Sequence, residues 1–294
     1  MDIDTAADAT TNGASHFTLD ADTFRKIHPA EYNRRFISQG VRADGRPLQR
    51  FRKANVNVGS ITTANGSSMV RLGNTTVICG IKAEVTEPTP EAPRAGFLVP
   101  NLDLPALCSP QFRPGPPGEL AQTISEYINQ ICTSTNLLNL DDLCIASGQA
   151  VWVLHADILC LNYEGNALDA ALAALIAALW NVRLPKSTYD ELEGTVRAAA
   201  TNTIPLVLNR LPLAATFGVF DAQHLIADPT DQEEPLLSSQ LAIVVDQEDN
   251  LCGILKEGSA MDRERMVECI GLARNRAQAL RRLIDEALAK ADAS

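Results

Sequence analysis

Apolar positions along the chain recur with two different periods. In PPGELAQTISEYINQI, from Pro116 to Ile131, Leu120, Ile124, Tyr127, Ile128 and Ile131 return at three- and four-residue steps, which predicts a helix with one buried face. Gln122, Ser125, Glu126 and Asn129 fall on the opposite side. A helix that follows a Pro-Pro-Gly turn offers unpaired N–H groups and a positive dipole end to an anion, yet Glu119 and Glu126 bring negative charge there. Phe24, Ile27, Tyr32, Phe36 and Ile37 also recur at roughly helical steps, broken at His28-Pro29, where Pro29 suits the first turn of a new helix. Ala167 to Trp180 is apolar on almost every side and predicts a helix buried between layers. Between Met261 and Lys290, one helical face carries Met266, Ile270, Ala273, Ala277, Leu280 and Ile284.

The other period is two. ANVNVGSITTANGSSMVRLGNTTVICGIKAEV alternates and is punctuated by Asn65-Gly66 and Gly73-Asn74, as in an antiparallel meander. FLVPNLDLPAL predicts a strand, DLCIASGQAVWVLHADILCL two more, and Pro185 to Arg197 a connector. PLAATFGVF, HLIADPT, QLAIVVDQ and NLCGILKEG then predict four short strands. Strands followed by helices in both halves indicate a duplicated α+β unit. The expected divisions are a disordered tail over 1–20, an N-terminal domain over 21–200 and a C-terminal domain over 201–294.

Composition narrows the class. With 294 residues, 46% of them hydrophobic and 21% charged, the chain is an ordinary globular one. Its formal charge of −11 argues against nucleic-acid binding spread over the whole surface, while leaving room for a local basic groove. The basic leader, Arg25 through Lys53, reads on charge alone as a solvated face. Seven cysteines without a C-x-x-C pair, mostly in apolar settings such as VICGI and DILCL, argue for reduced core thiols and against structural zinc. No apolar run is long enough for a membrane helix and no signal sequence opens the chain, so an intracellular, soluble protein is expected.

Catalytic constellations are scarce. His16, His28, His155 and His224 have no serine elbow, cysteine box or metal spacing beside them, and neither a Walker glycine loop nor a G-x-G-x-x-G turn occurs. Asp157, Glu164 and Asp169, in DILCLNYEGNALDA, form the acidic cluster best suited to chemistry. They suit turn and capping roles, with Asn166 among them, or a magnesium or acid–base site. From Asn101 to Trp180 one basic residue, Arg113, faces eight acids, too little cation to hold phosphate.

HPAEYNRRFISQGVRADGRPLQRFR, GSSMVRLGNTTVICGIKAEV, VPNLDLPALCSPQFRPGPPGELAQ, VWVLHADILCLNYEGNALDAALAALIAAL, ATFGVFDAQHLIADPTDQEE and LAIVVDQEDNLCGILKEG occur in this order. Together they resemble the RNase PH-like ring subunits of the eukaryotic RNA exosome across about residues 22 to 290. The resemblance implies an α+β fold of two β-α-β-α halves with packed sheets and helices. It also implies a hexameric ring built from dimers around a channel for single-stranded RNA. Active members cut RNA from its 3′ end with inorganic phosphate, using a Gly-Arg-Ser/Thr triplet at a helix start and an acid-bearing segment after a strand. The triplet aligns here with Ser125, Glu126 and Tyr127, and the segment with Leu161 to Ala167, where Glu164 is the nearest acid and the arginine is absent. The resemblance therefore implies a catalytically silent subunit without metal or cofactor, the alternative being an active exoribonuclease that supplies part of a composite site. It further implies an Rrp46-type dimer partner, a Csl4-type cap, RNA contact tested first at Arg94 and Arg113, and residence in nucleus, nucleolus and cytoplasm.

Overall fold

A computed structural model describes residues 21–190 and 193–292, so the tail expected over 1–20, with His16, lies outside the described residues. The leader forms α1 (Ala21–Ile27) and α2 (Pro29–Ile37), with Pro29 opening the second as expected. The meander follows as β1 (Ala54–Val58), β2 (Gly66–Leu72) and β3 (Thr75–Thr86), paired antiparallel in that order. Gly73-Asn74 makes its tight turn, but Asn65-Gly66 does not make the other, because Gly66 already belongs to β2.

After β4 (Phe97–Asp103) and α3 (Glu119–Ser134), the short β5 (Cys144–Ala146) leads into β6 (Ala150–Asn162). β6 pairs antiparallel with β3 and parallel with β4, giving the sheet order β1-β2-β3-β6-β4 with β5 beside β6. The buried helix is α4 (Ala167–Trp180). Pro185 to Arg197, expected to be a connector, instead runs through β7 (Arg183–Asp190) into β8 (Thr195–Pro205), a hairpin turned at Gly194 with φ 63°. Thr188, Tyr189, Thr195 and Val196 are strand formers, and that preference outweighs the breaker signal of Pro185. β8 runs across the expected boundary between residues 200 and 201.

The second sheet has the order β10-β9-β11-β12, formed by β9 (Leu213–Phe220), β10 (His224–Ala227), β11 (Leu237–Val245) and β12 (Leu251–Gly258). α5 (Arg263–Asp292) closes the chain. Between β10 and β11 the second half has only a three-residue 3-10 turn, Glu234–Leu236, so among the described residues its α helix is α5 alone.

All three long helices lie between the sheets: α3 against β4 and β12, α4 against β2, β3 and β9, α5 against β1, β9 and β11. The seven alanines of α4 explain its place, since small side chains on every face let two sheets approach one helix. Gly66 serves the same closeness, because a Cβ there would sit 2.6 Å from the Ala178 carbonyl oxygen. On α3, Ala121, Ile124, Ile128, Ile131 and Cys132 are buried, whereas Leu120, expected on that face, is 42% exposed. It stands in the first helical turn, where it lines an open cleft opposite β11 and β12.

The leader is not a solvated face throughout. Arg42 and Arg52 are buried. Arg42 forms an ion pair with Glu233, donates to Glu233 Oε1 at 2.9 Å and to the carbonyls of Ala227 and Asp228. Arg52 grips Asp228, donating from its backbone N–H and Nε to Oδ2 at 2.8 and 2.9 Å and from Nη2 to Oδ1 at 2.7 Å. Arg46 Nη1 adds a contact at 3.3 Å, and Asn166 Nδ2 donates to Oδ1 at 2.8 Å. Asp228 is fully buried and its backbone is left-handed, with φ 52°. Burial alone would raise its pKa, but the hydrogen bonds and charge of Arg52, with help from Asn166, hold it well below the usual carboxylate range.

Removing one partner of such a pair strands the others in the interior. Asp228→Ala is expected to lower the unfolding free energy by about 3–5 kcal/mol, measured by urea denaturation, and a loss under about 1 kcal/mol would refute the structural weight given to this network. The depressed pKa fixes a pH dependence as well. Asp228 contributes stability that is complete above the unfolded-chain value of about 3.9 and is lost as pH falls through its lower folded value. The urea midpoints of wild type and Asp228→Asn are thus expected to differ near neutrality and to converge below about pH 4.

Candidate functional site

A cleft of about 230 Å³ opens between the first turns of α3, the start of α4 and strands β11 and β12. Leu120, Ile124, Leu168, Ala242 and Leu255 make its apolar walls, and Thr123, Tyr163, Asn166, Gln240, Glu234 and Glu257 its polar ones. Among the described residues that line it there is no lysine, arginine or histidine.

Two helix ends bear on anion binding. α3 begins at Glu119 behind Gly118, and Ser125, Glu126 and Tyr127 lie in its second and third turns, where backbone N–H groups are spent on intrahelical bonds. Ser125 Oγ accepts the Leu102 N–H at 2.9 Å and so ties α3 to β4. Glu126 accepts from Gln130 on the same helix at 3.1 Å. Tyr127 leaves its hydroxyl buried without a partner, and burial pushes its pKa up to about 12. None of the three lines the cleft; Ser125 and Glu126 border a separate depression beside β4.

The head of α4 is the end that reaches the cleft. Asn166, left-handed at φ 54°, stands at the cap position, yet its side chain makes no capping bond. Its amide nitrogen instead donates to Asp169 Oδ2 and Asp228 Oδ1, both at 2.8 Å. The backbone N–H of Asn166 donates to Glu234 Oε1 at 2.7 Å, and the Tyr163 hydroxyl donates to Glu234 Oε2 at 2.6 Å. Burial raises the Glu234 pKa, and these two hydrogen bonds offset part of the rise. Burial likewise raises Asp169, against the pull of Thr216 and Asn166. Phe112 meets the Tyr163 ring edge-on at 5.2 Å, so the loop before α3 is pinned to the same place.

The acids singled out by spacing do not converge. Asp157 is exposed on β6. Glu164 turns away from the cleft, pairing with Arg52 at 3.3 Å and accepting from the Asn74 N–H and Nδ2 at 3.1 and 3.0 Å. Asp169 is buried and accepts from the Thr216 N–H at 3.0 Å and from its hydroxyl at 2.7 Å. Among the described residues no group of three His, Cys, Asp or Glu side chains is placed to hold a metal ion. His155 lies 3.8 Å from Glu84 at the far end of β6. Arg94 and Arg113 are exposed in the loops before β4 and before α3, without a hydrogen bond or ion pair to any described residue, and neither lines the cleft.

Glu234 and Glu257 are the acids of the cleft, and sequence patterning did not single them out. Glu234 had a signal in DPTDQEEPL, where acids crowd a loop between strands and Pro235 fixes the exit, but no local period says which acid turns inward.

Residues 50–185 match the model of domain 1 of the 3′ exoribonuclease family, and residues 210–276 match domain 2. The chain is 42% identical to exosome complex component rrp43 of Schizosaccharomyces pombe, over 91% of this chain and 99% of that protein. It is 36% identical to exosome complex component Rrp42 of Pyrococcus furiosus, over 90% and 95% respectively. Among solved structures, a chain of the Archaeoglobus fulgidus exosome with RNA bound to the active site superposes with a TM-score of 0.76 at 30% identity, covering 86% of this chain and 96% of that one. The chain therefore belongs to the RNase PH-like 3′ exoribonuclease family, both of whose domains it carries.

Proposed function

We propose that the chain is a non-catalytic subunit of the hexameric RNase PH-like ring of the RNA exosome core. It supports 3′-to-5′ processing and decay of RNA by completing the channel through which single-stranded RNA passes, with hydrolysis supplied by a separate nuclease. The observation that carries this reading is the cleft: it presents two carboxylates, Glu234 and Glu257, and no described cation, where phosphorolysis needs positive charge for phosphate and RNA. The near full-length likeness to an exosome component supports the ring assignment.

Leu107 is 85% exposed and Val207 67%, apolar surface that suits covering by neighbouring subunits. An Rrp46-type subunit is the dimer partner in this reading and a Csl4-type protein the cap. Arg94 and Arg113, exposed and unpaired among the described residues, are the candidate RNA contacts. Nucleus, nucleolus and cytoplasm are the expected sites of action.

The test is phosphate-dependent release of nucleoside diphosphates from single-stranded RNA by the purified chain, alone and with its dimer partner. No release above background is expected, and none from the double variant Ser125→Gly, Glu126→Arg. Turnover that disappears on changing Glu234 or Glu164 would overturn the silent-subunit reading. Mass measurement of the complex co-purified from native extract is expected to give a multi-subunit ring, and a monodisperse monomer unchanged in melting temperature by any partner would contradict it.

A further inference from the structure

We propose that the open edge of β1 is a docking site for an extended acidic segment of a partner protein, which adds to the first sheet as a further strand. The inference goes beyond the ring assignment and does not depend on it, and none of the residues it uses lines the cleft.

Among the described residues β1 pairs with β2 on one side and with no strand on the other. The Gly59 N–H donates to the Ser67 carbonyl at 2.9 Å and the Gly73 N–H to that of Lys53 at 3.0 Å, so in this register the odd-numbered residues of β1 turn their backbone groups toward β2. Ala54, Val56 and Val58 therefore turn theirs the other way, and those N–H and C=O groups have no partner among the described residues. Sheets commonly blunt such an edge. The opposite edge of this sheet is blunted: β4 carries Pro100, and α3 covers it with Ser125 Oγ on the Leu102 N–H. β1 has no proline, and its register with β2 runs without a shift.

The edge opens on a groove of about 620 Å³ between β1 and the last turns of α5. Leu283, Ala287 and Ala291 line its helical wall at four-residue steps, an apolar row that narrows to alanine toward the end of the helix. Asn55, Asn57 and Asn181 supply uncharged polar groups. The charged side chains of the lining are Arg183, Lys290 and Glu286, and Lys53 stands exposed immediately before β1. Three cations against one acid make this edge locally positive on a chain whose formal charge is −11.

An added strand is the occupant that answers all of these groups. Its backbone repeats N–H and C=O at the spacing of Ala54, Val56 and Val58, which gives main-chain bonds along the whole edge. Every second side chain faces the α5 row, where small apolar groups fit against Ala287 and Ala291. Carboxylates at the places between complement Arg183, Lys290 and Lys53. The edge is five residues long, about 17 Å of strand.

The experiment follows, by fluorescence anisotropy at physiological ionic strength, the binding of two labelled synthetic octapeptides to the purified chain, with its ring partner where that is the form obtained. One peptide alternates valine with aspartate and the other valine with lysine. The aspartate peptide is expected to bind saturably, and the lysine peptide roughly tenfold more weakly or worse. Val56→Pro removes an N–H that faces the groove and none that faces β2, so it is expected to keep its fold and to weaken the aspartate peptide roughly tenfold. If Val56→Pro does not fold, Ala54→Pro, at the first residue of β1, is read by the same outcome. No saturable binding of the aspartate peptide, equal binding of the two peptides, or a folded proline variant that binds as wild type does would overturn the proposal. So would a Val56 amide that is protected from hydrogen exchange in the free chain and loses that protection when residues 1–20 are removed, since the occupant would then be the chain's own N-terminus. No RNA or turnover enters this measurement, so its failure is distinguishable from failure of the silent-subunit reading, which the phosphorolysis assay decides.

Discussion

Asp228 keeps its charge at zero exposure, and that is possible only because three residues from two distant parts of the chain converge on it. Arg52 and Arg46 come from the leader, Asn166 from the head of α4, and Asp228 itself from the end of β10. An unpaired carboxylate in that position would cost several kcal/mol, so the leader, the buried helix and the second sheet hold their relative places together or not at all. The cleft inherits its geometry from this arrangement. Asn166, in its left-handed turn, holds Asp228 with its side chain and Glu234 with its backbone N–H.

The helices packed between the sheets have a structural role that does not depend on any chemistry in the cleft. α3 and α4 are packing elements first: Ile124, Ile128 and Ile131 on one, and nearly every residue of the other, belong to the main core. The first turn of α3 reaches the surface at Glu119 and Leu120, so side chains there are free to change while the helix remains indispensable; the first turn of α4 is buried. Ser125, in the second turn of α3, serves the packing role, since its hydroxyl fastens α3 to β4 through the Leu102 N–H.

Much of this fold was legible in residue patterns, for a physical reason. α4, α5 and the strands of the two sheets bury regular faces, and regular burial writes a period into the chain. Leu120 fails that rule because a residue in a first turn can share the helical period and still line an open cleft instead of the closed core. The β7–β8 hairpin was hidden by Pro185, which signals a break when read locally but is tolerated in a strand whose other edge is unpaired. The site was less legible than the fold. Charge alone placed Arg42 and Arg52 on a solvated face, because their acids, Glu233 and Asp228, lie far along the chain. That Glu234 turns to the cleft and Glu233 to Arg42 is likewise decided by tertiary packing.

The same separation orders events during synthesis. Arg42 and Glu233 are 191 residues apart, and Arg52 and Asp228 are 176. At ribosomal speeds of about 5–20 residues per second, the two arginines emerge roughly 10–40 s before the acids that bury them. During that interval the leader is a bare cationic segment ahead of a half-built sheet, attached to a ribosome rich in RNA phosphate. Docking of the leader is thus a late step in the birth of the chain, and the ion pairs that look like its anchor are in time its final latch.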